Sequence, residues 1–69
     1  MSERYVLIAV KLLRVLPRSF IVEDESGEEH VIGRSCVHGA DEREIANTAV
    51  GEQVEFRVFE WLANKENLI

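Results

Sequence analysis

The sequence predicts a small α+β fold, mainly antiparallel β: a curved sheet with one short helix before its last long strand and a second short helix at the C-terminus. Three observations predict it. "RYVLIAVKLLRVL" is dense in β-branched and aliphatic residues over a length suited to one long strand, "EQVEFRVFE" alternates apolar and polar residues, and "GADEREIANTAVG" carries helix signals between turn residues. With 69 residues, 46% of them hydrophobic, one proline and four glycines, there is room for one core, and a single domain over residues 1–69 is expected.

The first strand is predicted from about Arg4 to Val15, with Val6, Ile8, Val10 and Leu12 on one face. Beyond Leu12 strict alternation would set Lys11 and Arg14 on opposite faces. A bulge at Leu12-Leu13 turns Leu13 and Val15 inward and leaves both cations outside. Pro17 cannot donate to a ladder, so "LPRS" is the corner into the second strand.

"SFIVED" and "EEHVIG" form a hairpin about Ser26-Gly27. A two-residue turn there sets Val22 opposite Val31, Ile21 opposite Ile32 and Glu23 opposite His30. A three-residue turn, Glu25-Ser26-Gly27, opposes Asp24 to Glu28 and Glu23 to Glu29, and facing like charges disfavour it. The helix is expected at about 42–49, with Asp41 as N-cap, Glu44 in the capping-box position, Ile45, Ala46 and Ala49 on one face, and Gly51 beyond its end. In the last strand Val54, Phe56 and Val58 point inward and Glu55 and Arg57 outward. The tail "WLANKENLI" sets Trp61, Leu62, Lys65, Leu68 and Ile69 at helical spacing, which favours a short helix over a fifth strand.

The formal charge of −5 is unevenly placed, with a balance of +3 over residues 1–22 and −8 over residues 23–69. Such a chain is repelled by nucleic acid overall, because phosphate binding depends on several converging Lys or Arg. Only the first two strands could form a basic patch. The longest unbroken apolar run, Tyr5 to Val10, is too short to span a bilayer, the opening "MSERYV" has no signal-peptide pattern, and one cysteine cannot form an internal disulfide. No membrane partner and a reducing, cytoplasmic setting are expected.

His30, Cys36 and His38 fall within fourteen residues, and a zinc reading would add Asp41 as fourth ligand. The spacing H-x5-C-x-H lacks the paired short loops of zinc motifs, so no metal and no other cofactor is expected. Cys36 is read as a small packed side chain and the histidines as polar surface or rim. No set of acid, base and nucleophile can be assembled, so the protein is expected not to be an enzyme. The acidic run "EDESGEE" matches no EF-hand and reads as a solvated turn.

The apolar excess is more informative. Ile21, Phe59, Trp61, Leu68 and Ile69 are not all placed inward by any one register, and a short chain has little second layer to cover them. Exposed apolar clusters mark interfaces, and Trp and Phe are favoured anchors. The leading expectation is therefore a binding module for a protein partner or a second copy of itself, with Ile21, Phe59, Trp61 and Leu68 at the interface. The alternative is single-stranded nucleic-acid binding, with Lys11, Arg14, Arg18 and Arg34 beside Tyr5 as a stacking ring.

The strand–strand–strand–helix–strand order, with Ser35 after the third strand and Gly51, Glu52 and Val54 opening the fourth, resembles the OB-fold barrel. It is similar in particular to the RNA-binding barrel repeats of ribosomal and RNA-processing proteins. The resemblance covers most of residues 5–60 and implies a small β-barrel and nucleic-acid binding. "FIVED" and "EEHVI" are acidic where such barrels carry stacking aromatics and basic rows. The ending "FEWLANKENLI" also resembles the Trp-Leu-Ala tails of short uncharacterised phage and plasmid proteins, which implies no chemistry.

Overall fold

The structure, a computed structural model, describes residues 4–69; Met1–Glu3, on which the expectation of no signal peptide partly rests, lie outside them. Strand β1 (Tyr5–Val15), β2 (Ser19–Glu23) and β3 (Glu29–Gly33) are followed by a 3-10 turn at Arg34–Cys36, helix α1 (Gly39–Ala46), β4 (Gln53–Phe59) and helix α2 (Glu60–Lys65). The strands make one antiparallel sheet in the order β3-β2-β1-β4. The class is the expected one, α+β and mainly antiparallel, but the sheet is not a closed barrel. After β3 the chain makes the 3-10 turn and meets the far edge of β4 through one bridge, Val37 to Val58. A single bridge where a strand would be needed leaves the sheet curled and open.

In β1 the inward positions Ile8, Val10 and Leu12 are buried, and the outward Tyr5, Leu7, Ala9 and Lys11 are exposed. The register shifts between Leu12 and Arg14, so Arg14 faces Ile21 and Val15 faces Phe20. This is the expected bulge. Lys11 and Arg14 both stay outside, Val15 packs on the core, and Leu13 is half-buried. Ile45 of α1 and Leu62 and Ala63 of α2 join the core with Phe20, Val22, Ile32, Phe56 and Val58. Both helices thus pack on the same face of the sheet, and among the described residues no core forms on the other face.

Two local expectations are corrected. In the hairpin Val22 faces His30, Ile21 faces Val31 and Glu23 faces Glu29, which is the register of the three-residue turn. The Asp24 N–H donates to the Glu28 carbonyl at 2.9 Å, and Gly27 takes the left-handed φ of 87° that this turn requires. The like-charge argument fails because the Asp24 carboxylate turns into the loop, where it accepts the Ser26 N–H at 2.9 Å, the Ser26 hydroxyl at 2.7 Å and the Glu28 N–H at 3.0 Å. Beside the remaining acidic pair, Glu23 and Glu29, Lys11 of β1 stands opposite Glu23.

Helix α1 begins at Gly39, and His38, not Asp41, precedes it, without a side-chain cap. Asp41 lies inside the first turn, and its carboxylate is taken by Arg57 on β4. The helix ends at Ala46, where Asn47 Nδ2 and Thr48 Oγ1 cover the Arg43 and Glu44 carbonyls, and Ala49 is exposed. The tail is a helix, as expected, closed by a left-handed Asn67 (φ 57°). The Leu68 N–H donates to the Ala63 carbonyl at 2.8 Å and the Asn67 N–H to Asn64 at 3.2 Å, the two bonds of a Schellman cap. That cap folds Leu68 back onto the core.

Candidate functional site

The outer face of the sheet carries Tyr5 of β1 and Phe59 of β4. Tyr5 pairs with Phe59 across the strands, and their ring centroids are 5.0 Å apart. Strand β4 runs directly into α2 at Glu60, whose N–H donates to the Arg4 carbonyl at 2.8 Å, and this junction sets Trp61 beside Phe59, stacked at 6.2 Å. At the other end of the row His38 meets Tyr5 edge-on at 5.1 Å. Leu7, two residues along β1, continues the patch. Trp61 is 50% exposed and Leu7 59%.

Of the residues expected at an interface, Phe59 and Trp61 come together in this row. Ile21 lies on the same face but on β2, facing the exposed Val31, and Leu68 packs against the core. Tyr5 and Leu7 belong to the row and were not expected in it. The signal was present, since β1 is apolar on both of its faces.

Of the expected nucleic-acid set, Tyr5, Lys11 and Arg14 share the outer face of β1, and Arg18 is exposed in the corner after Pro17. Arg34 is engaged elsewhere. Its guanidinium lies 5.2 Å from the centroid of the Phe20 ring, donates from Nε to Glu42 Oε1 at 2.7 Å, and from Nη1 to the Leu16 carbonyl at 3.0 Å. Arg57 on β4 is likewise held. Asp41 accepts its Nε at 2.9 Å, its Nη2 at 3.0 Å and its backbone N–H at 2.8 Å, which lowers the Asp41 carboxyl to about 2 and raises the guanidinium. With Glu23 beside Lys11, and Glu29 and Glu55 on the same face, the cations are interleaved with acids.

The two histidines sit in different environments. The His38 Nδ1 is buried and has no hydrogen-bond partner among the described residues. His30, 6% exposed, has carboxylates on both ring nitrogens: Asp24 Oδ2 lies 2.7 Å from Nε2, and Glu66 Oε1 lies 3.1 Å from Nδ1. Burial pulls its pKa down, but the hydrogen bonds to Asp24 and Glu66 and their charges outweigh this and raise it above 6.5. The same contact, with the turn donors, holds Asp24 well below the usual carboxylate range. Glu66 escaped the sequence reading because its meeting with the hairpin is non-local. The nearest approach to a metal-ligating arrangement is at this point, where Asp24, Glu28 and His30 bring polar atoms within 4.8 Å of one another. Both ring nitrogens already face carboxylates, so we read the group as a hydrogen-bonded clamp. Cys36, half-buried, packs against the core.

No helix among the described residues is long and apolar enough to cross a membrane. No family model, curated protein or solved structure matches the chain.

Proposed function

We propose that the protein is a non-catalytic binding module that associates with a protein, a second copy of this chain, through the outer face of its sheet at Tyr5, Leu7 and Phe59 and through Trp61 beside it. The observation that carries this reading is the contiguous aromatic row made by Tyr5 and Phe59 on the outer face of the sheet and Trp61 at the start of α2. Rigid aromatic rings with an exposed aliphatic neighbour are the anchors that protein interfaces use. A small domain also has the most to gain from covering such a patch, since it buries only about 60% of its unfolded surface alone. The interleaved charges favour self-association, because one face carrying Lys11 and Arg14 together with Glu23, Glu29 and Glu55 can complement its own copy across a two-fold axis.

A second reading has one observation in its favour. Tyr5, Lys11 and Arg14 share a face, as single-strand binding by a relative of OB-type barrels would require. The acids between them weigh against it. Sedimentation equilibrium of the wild type beside Trp61→Ala separates the readings: a dimer is expected for the former and a shift toward monomer for the latter. An unchanged monomer in both removes self-association. Salt-sensitive binding of a short single strand, lost on neutralising Lys11 and Arg14, transfers the assignment to nucleic acid.

A further inference from the structure

We infer that His30 is a proton-operated latch: as an imidazolium, giving one N–H to Asp24 of the hairpin turn and the other to Glu66 behind α2, it fastens the C-terminal segment 66–69 to the β2–β3 hairpin. The geometry favours the charged ring. A neutral imidazole has one N–H and one lone pair, so with a carboxylate oxygen 2.7 Å from one nitrogen and 3.1 Å from the other, losing a proton turns a buried lone pair on an anion. The charged groups that face the ring are Asp24 and Glu28 from the turn and Glu66 from the end of α2; β2 meets it with Val22.

The two contacts differ in how they can yield. Asp24 is anchored by three further donors from Ser26 and Glu28, whereas the Glu66 side chain is held by the ring. The Glu66 contact therefore opens first. It is followed in the chain by the left-handed Asn67 and by Leu68, which packs on the core beside a depression lined by Leu7, Ala9, Asp24 and Ser26. Opening the latch loosens Leu68 and bares apolar surface next to the Leu7 end of the outer face. The sign follows from the raised pKa: the contribution to stability is complete below 6.5 and is lost as pH rises through the folded-state value. Asp24 acts in the opposite direction, its contribution being complete above 3.8 and lost as pH falls through its own lowered value.

The test is NMR of the imidazole Cε1–H and the Leu68 methyl groups from about pH 5 to about pH 9, on the wild type, Glu66→Gln and, as a control on the outer face, Glu29→Gln. His30 is expected to titrate above 6.5 with the Leu68 methyls shifting at the same midpoint. Glu66→Gln should lower that midpoint and uncouple Leu68, and Glu29→Gln should do neither. Leu68 signals that ignore the His30 transition, or a midpoint unmoved in Glu66→Gln, overturn the latch. Melting curves give a second measurement that does not depend on assigning resonances. The advantage of the wild type over Glu66→Gln, present at about pH 6, should shrink by about pH 9, and a constant advantage refutes the proposal.

Discussion

The inner and outer faces of β1 and β4 are built from the same kinds of residue and end in opposite states. Ile8, Val10, Leu12, Phe56 and Val58 point inward and are sealed under the two helices, whereas Tyr5 and Leu7 point outward and stay exposed, with Phe59 half-buried between Tyr5 and the margin of the core. Apolar composition does not separate the faces; the layer above them does. Alternation in β4 announces its inner face, because Glu55 and Arg57 mark the other side. In β1 it does not, because Leu7 and Ala9 interrupt the pattern. The difference teaches that an apolar residue on a two-layer fold becomes core only where a second layer reaches it, and that the remainder is available for contacts outside the chain.

The sharpest way to break this comparison is to truncate matched aromatics. Phe56→Ala, at a position with no exposure, should cost about 3–5 kcal/mol in urea denaturation. Trp61→Ala should cost about 1 kcal/mol or less in the monomer while weakening association. Equal costs would mean that the outer row belongs to the core. A smaller effect comes from Cys36, which touches the inner layer from its margin: Cys36→Ala should lose at most about 1–2 kcal/mol by the same measurement. The smallest effect is expected from a chelator, which should leave the melting temperature unchanged. A lowered melting temperature would show that a cation rather than a proton joins Asp24 to His30.

The strands and the bulge of β1 were legible in the sequence because they follow from local rules: a long apolar run, and two cations that must both stay in water. The tail helix was legible for the same reason. What misled was partnership at a distance. Asp41 has the spacing of a capping residue, but Arg57, sixteen positions away, offers its carboxylate three donors. Asp24 and Glu28 looked like a repelling pair, yet the Asp24 carboxylate binds the turn itself and His30. At the candidate site, Phe59 and Trp61 stood out among five apolar residues that no single register places all inward. Tyr5 was set aside as a stacking ring for nucleic acid, and its packing against Phe59 depends on a pairing between the two ends of the chain.

That pairing has a consequence for how the molecule is made. The β2–β3 hairpin closes over a few residues, but strand β1 finds most of its partners only in β4, far along the sequence. Loop-closure entropy must be met before those contacts contribute, which sets folding by long-range docking rather than by local zippering. On a ribosome, Tyr5 to Val10 leave the exit tunnel before residues 53–59 and wait for them before β4 can pair. That apolar stretch thus stays unpaired on its β4 side while everything between the two strands is synthesised, and it is a segment a chaperone would meet.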